Sequence, residues 1–167
     1  MALLPAPLTK PAKGKPGQFQ NMEEWNAFTA FVTGTNTKPI GFGHPVSVDG
    51  QAGDGTALVK ALATTEVFAG ITRENITTGG TDGDVYADDD RIGVADEGVI
   101  FGLAGTGGVT IGGNVFWNPA TNRYVAAAGT GILPLPNCSY DQSAAADEVV
   151  PIRLRVVPGG TAVTAGS

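Results

Sequence analysis

His44 and Cys138 are the only histidine and the only cysteine in this 167-residue chain. Hydroxyl-based attack would have to combine His44 with Ser47, Ser139 or Ser143, because the nucleophile needs an imidazole within hydrogen-bond reach. None of these serines has the glycine-flanked setting of a nucleophile elbow, and His44 stands directly before Pro45 at a strand start. A surface or turn histidine is the commoner outcome for such a residue. Cys138, in "PNCSYD", could act as a thiolate beside His44, but a lone semi-buried thiol is far commoner. One Cys and one His cannot close a zinc site.

The acidic stretch holding Asp82, Asp84, Asp88, Asp89 and Asp90 is the strongest candidate for a site, since carboxylates clustered on a loop can ligate Ca²⁺. The helix–loop–helix calcium pattern fails because Ala87 occupies its glycine position. The run "GGTDGDVYA" matches a single glycine-rich calcium nonapeptide imperfectly, and no repeat follows it. A solvated loop is the default expectation, and an acidic patch that receives a basic segment of a neighbour is the other. Two glycine-rich stretches read as turns. "GQAGDGT" (50–56) lacks the lysine of a phosphate loop, and "GTGGVTIGG" (105–113) lacks the dinucleotide fingerprint and any following helix pattern. No cofactor is expected.

Around these residues the composition is that of a β-protein. Hydrophobic residues make up 42 % of the chain, which excludes wholesale disorder, and there are 25 Gly and 11 Pro without a tripeptide period. Val, Ile, Thr, Gly and Ala dominate. The net charge of −6 is unevenly spread. Residues 1–39 carry four Lys and two Glu, whereas residues 40–167 carry six basic and fourteen acidic groups. An acidic body argues against nucleic acid as a ligand. No apolar run is long enough to span a bilayer as a helix, and "MALLPAPLTK" does not read as a signal peptide. A single cysteine suits assembly in a reducing cytosol.

The chain divides into an arm, 1–39, a β-domain, 40–158, and a flexible tail, 159–167. Pro5, Pro7, Pro11 and Pro16 keep the start extended. In "NMEEWNAFTAFV", Asn21 and Glu24 form a version of a capping box, and Met22, Trp25, Phe28 and Phe31 or Val32 make one apolar stripe. That spacing predicts a short helix over about 21–32. From Ile40 onward eight to ten short strands alternate with turn signals, which predicts a small antiparallel barrel or jelly-roll-like sandwich. "GGVTIGG" is among the expected strands. In "VVPIRLRVV", Ile152, Leu154 and Val156 should face one way and Arg153 and Arg155 the other. "NVFWNPATNRYV" reads as a hairpin, with Val115 and Trp117 on one face and Tyr124 opposite them.

The order of these segments resembles a known family. "VFAGITREN", "VADEGVIFGLAG", "GGVTIGGNVFWNPATNRYVAA" and the closing "VVPIRLRVV" are similar to the strand pattern of tailed-bacteriophage capsid cement, or decoration, proteins. The resemblance covers about residues 40–157. It implies a non-enzymatic β-barrel protein, made in the host bacterial cytoplasm. In the virion such a protein sits on the outer surface of the capsid and bridges neighbouring major capsid protein subunits. It implies a homo-oligomer as well, a homotrimer ahead of a homodimer, with no nucleic-acid or membrane partner. The interface residues expected on the arm are Lys10, Lys13 and Lys15, as charges that steer, and Phe19, Trp25, Phe28 and Phe31, as aromatic anchors. The alternative reading is a carbohydrate- or host-surface-binding module of a virion fibre, with Trp117 and Tyr124 as a sugar platform.

Overall fold

A computed structural model describes residues 14–20, 25–33, 39–75, 85–157 and 160–166. All regular structure in them is β: β1 (Asn26–Val32), β2 (Ile40–Gly41), β3 (Pro45–Gln51), β4 (Ala57–Ala61), β5 (Phe68–Thr72), β6 (Val85–Tyr86), β7 (Arg91–Leu103), β8 (Asn114–Asn118), β9 (Arg123–Val125), β10 (Leu133–Tyr140) and β11 (Val149–Arg155). The expected all-β class holds, and the architecture is a barrel.

The long strand β7 belongs to two closed circuits. Its first half completes a ring in the order β1–β4–β3–β5–β7, which closes because β1 pairs with β4 on one edge and with β7 on the other. Every neighbour in this ring is antiparallel except β1–β4. Its second half starts the order β7–β11–β10–β8–β9. A parallel bridge between Ala104 and Tyr124 brings β9 back to the end of β7, where the Gly105 N–H donates to the Tyr124 carbonyl at 2.7 Å. Closure of this kind leaves few strand edges open to unwanted pairing. Each circuit has its own core. Val32, Val46, Val59 and Val94 centre the first, and Ile100, Trp117, Tyr124, Tyr140 and Ile152 centre the second.

The expected helix over 21–32 does not form where it can be seen. Residues 26–32 are β1, and Asn21, Met22 and Glu24 lie outside the described residues. Trp25, Phe28 and Phe31 do repeat every third position, but Phe28, Ala30 and Val32 also alternate, and that face packs into the first core. Pairing to both β4 and β7 satisfies the backbone of the segment across the ring, which a three-turn helix on its own cannot match. "GGVTIGG" is not a strand either. It is a turn region held by one bridge, Val109 to Ala144.

Other expectations hold. In β11, Ile152 and Leu154 are buried while Arg153 and Arg155 are exposed. The hairpin pairs Trp117 with Tyr124 across β8 and β9, and Asn118 Oδ1 accepts the Ala120 N–H at 3.0 Å in the intervening turn. Residues 160–166 are docked where a loose tail was expected: Val163 is buried, and its N–H donates to the Glu66 carbonyl at 2.7 Å.

Midway along β7 the strand changes partners. A register shift leaves Asp96 bulged opposite Asn26 and Ala27, and Gly98 two residues on has φ 116°, a conformation that side chains resist. The bulge and the glycine together let one strand turn from the first circuit into the second.

Candidate functional site

His44 and Cys138 are largely withdrawn from solvent, whereas the described aspartates of the acidic stretch lie at the surface. His44 is mostly buried in the turn between β2 and β3. Its Nδ1 accepts the Gly41 N–H at 3.0 Å, and its ring lies 4.8 Å from that of Trp117. Burial, helped by the positive charge of Arg123, pulls its pKa down to about 4, so the ring is neutral at ordinary pH. Among the described residues no hydrogen bond joins it to a serine. Ser47 Oγ donates to Glu66 at 2.7 Å, and Ser143 Oγ accepts from Ile111 N–H at 3.0 Å. Cys138 is buried, and burial pushes its thiol up to about 12, which removes the thiolate at neutral pH. Asp82 and Asp84 lie outside the described residues, Asp88 and Asp89 are exposed, and Asp90 closes the turn before β7 by accepting the Ala87 N–H at 2.8 Å. No group of three potential metal ligands occurs among the described residues.

The buried imidazole has a consequence for stability. Its folded pKa of about 4 lies below its ordinary 6.5, so between these values the unfolded chain binds the extra proton. The stability this contributes is full above pH 6.5 and is lost as pH falls toward 4. Urea unfolding at pH 7.5 and at pH 4.5 should show wild type losing roughly 2.5 kcal/mol more than His44→Gln between the two. Equal losses would mean that His44 takes up its proton as readily in the fold as in the unfolded chain.

Trp117 and Tyr124 are 4 % and 0 % exposed, so neither offers a face to a sugar. They are core. The Tyr124 hydroxyl donates to the Gly43 carbonyl at 2.6 Å, tying the second circuit to the β2–β3 turn.

The surface carries a different kind of site. Phe19 joins the middle of β7 through a bridge to Ile100, and the Gly17 N–H and Gln20 N–H donate to the Phe101 and Val99 carbonyls, both at 2.8 Å. This apposition brings Phe19 beside Trp25, with ring centroids 5.4 Å apart. The Arg73 guanidinium, beyond the end of β5, lies 5.1 Å from the first ring and 5.6 Å from the second. The Tyr86 hydroxyl donates to the Arg73 carbonyl, and the Arg73 N–H donates to Gly93 at 2.8 Å, so the backbone carrying this cation is fixed. Each ring–cation contact at such an exposed place is worth about 0.5–1 kcal/mol. Trp25 nevertheless remains 43 % exposed, an indole presented to solvent on a braced platform.

The other expected interface residues are dispersed. Phe31 is covered by the Arg91 guanidinium at 5.1 Å. Phe28, on the opposite face of β1, edges a groove with Val48, Val67 and Val157. Lys15 is exposed, while Lys10 and Lys13 lie outside the described residues. Arg73 and Arg91 were not foreseen. No local pattern could have named them, because their aromatic partners lie far away along the chain.

The fold therefore defines a β-barrel protein that presents aromatic surface for contact, and no group of three potential metal ligands stands among its described residues. Residues 7–155 match the model of a phage structural cement protein family, described as "Structural cement protein (E217 gp24/Pam3 gp6)". The chain belongs to that family, and its role is that of a structural protein of the phage capsid. No curated protein matches it. Among solved structures it is similar to a chain in "The capsid of Myoviridae Phage XM1", with TM-score 0.68 and 20 % identity over 93 % of this chain and 98 % of that one. At that identity the likeness is one of fold.

Proposed function

We propose that this protein is a non-enzymatic clamp on the outer surface of a phage head, bridging neighbouring major capsid protein subunits. Membership of the cement family carries the reading, and the braced, exposed Trp25 supports it. A clamp needs contact area and rigid anchors, and aromatic anchors beside an arginine are the side chains that dominate such interfaces. Phe19, Trp25 and Arg73 form the anchor cluster, and Phe31 and Phe28 offer further contact from the two faces of β1. Lys10, Lys13 and Lys15 steer the basic arm toward acidic surface. The protein is made in the host cytoplasm and acts as a homo-oligomer, a trimer ahead of a dimer, with neither nucleic acid nor membrane as partner. Linked copies multiply a modest affinity at each position.

The test mixes the protein with undecorated heads and measures co-sedimentation. Truncation should stop at residue 13, since Gly17, Gln18 and Gln20 hydrogen-bond to β7 and their loss would injure the fold itself. Loss of residues 1–13 should weaken binding, and Trp25→Ala should weaken it about thirtyfold, the scale of a 2 kcal/mol hot spot. Full-strength binding by both variants would refute the need for the arm and its anchor in capsid binding.

A further inference from the structure

Five large apolar side chains are well exposed among the described residues, and three of them, Val48, Val67 and Val157, line one groove. It has a volume of about 400 Å³ and runs between β1, β3, the start of β5 and the end of β11, with Phe28 and Val156 beside it. A cluster of this kind on an otherwise polar surface marks a contact site. Its walls carry no cation. Asp96 lines it from the β7 bulge; Asp96 Oδ2 accepts from the Asn26 amide at 3.1 Å, and Oδ1 has no hydrogen-bond partner. Beyond Val48 and before Val67 stand Asp49 and Glu66, which share the Lys60 ammonium at 2.7 and 2.9 Å. The groove is thus apolar along its floor and negative at its margins.

We infer that this groove receives residues 1–13 of a second copy. The segment "MALLPAPLTKPAK" supplies what the groove asks for: Leu3, Leu4 and Leu8 as apolar side chains, then Lys10 and Lys13, with no acid. The prolines keep it extended, so it loses little backbone freedom on docking. The acidic turn Ala87–Asp90 offers charge to the lysines but no apolar surface to the leucines. Direction argues for a second copy. Residues 14–20 run along β7 from Phe101 toward Val99 and so toward Asp96, which leaves Gly14 at the end of this run farther from its own groove. A return within the same copy would need a reversal in a segment with three prolines. This deepens the proposed role of the arm by naming its receptor, and it makes the arm a link between copies.

The experiment uses the full chain in solution, without heads, with a photo-crosslinking residue replacing Leu8 and an equal mixture of isotope-light and isotope-heavy protein. Light–heavy crosslinks should map to Val48–Asp49, Val67–Phe68 or Val156–Val157. Val67→Asp and Val157→Asp should each reduce them about tenfold, a loss of about 1.4 kcal/mol in docking. Both valines are exposed, so these variants should fold, and Ile111→Asp, at an exposed apolar site elsewhere, should change nothing. Crosslinks confined to light–light and heavy–heavy pairs, crosslinks on Ala87–Asp90, a monomeric mass by light scattering, or an oligomer that persists without residues 1–13 would each overturn the inference. Head binding is read separately. Crosslinking in solution without head binding would refute the capsid reading alone, and head binding without groove crosslinks would refute this inference alone.

Discussion

Gly70→Ala should destabilise the protein by about 3 kcal/mol or more, the sum of overpacking and backbone strain. Gly70 lies on β5 where that strand is squeezed between β3 and β7. A methyl group there would stand 2.3 Å from the Ala95 carbonyl oxygen and 2.7 Å from Val94 Cγ1. The first of these is backbone in the shared strand β7 and cannot rotate away. The φ of 151° adds strain for any side chain. The alanine can be accommodated only by moving β5 off β7, which opens the first circuit. Urea unfolding reads the effect as a lower midpoint. Gly53→Ala is the matched control: no atom lies within 4 Å of its added methyl, so it should stay within about 0.5 kcal/mol of wild type. A Gly70→Ala midpoint equal to that of the control would show that the two strands are not pressed together as described.

Trp117→Ala should cost about 3–5 kcal/mol, the range for deleting a large aromatic from a packed core. The indole is 4 % exposed and has rings on two sides, Tyr124 at 4.9 Å and His44 at 4.8 Å. Its neighbours cannot easily collapse into the space. Tyr124 is held by its bond to Gly43, and His44 by the Gly41 N–H. A cavity that cannot relax costs most. The same substitution at a sugar platform would leave stability within about 0.5 kcal/mol and abolish binding. Thermal or urea unfolding of this one variant therefore separates a structural Trp117 from a ligand-binding one.

Much of this was readable along the chain. Alternation in "PIRLRV" requires a strand with one buried face whatever surrounds it, and "NVFWNPATNRYV" carries its own turn between two alternating runs. One His and one Cys leave few combinations for a catalytic triad and none for a closed zinc site of His and Cys alone. Residues 25–32 were not readable in the same way. Their aromatics fit a period of three and their small apolar residues a period of two. The choice fell to the free edges of β4 and β7, which lie more than twenty residues downstream. Val48 shows the same limit. Its alternation with Val46 places both on one face, yet Val46 is buried and Val48 is 53 % exposed, because the β3 register shifts after Val48 and its pairing to β5 ends at Ser47. The union of Phe19, Trp25 and Arg73 has no local signal at all.

By itself, the sequence determined that this is a predominantly β chain with a single cysteine, a basic arm and an acidic body. Those properties depend on composition and on which neighbours share a face, and both are local. Only the tertiary structure decided that β7 is shared between two circuits, that Trp117 is core while Trp25 is surface, and that three exposed valines meet around Asp96. Periodicity says which side chains point the same way. Whether that side is covered depends on strands closing across the chain, a contact that no stretch of ten residues encodes.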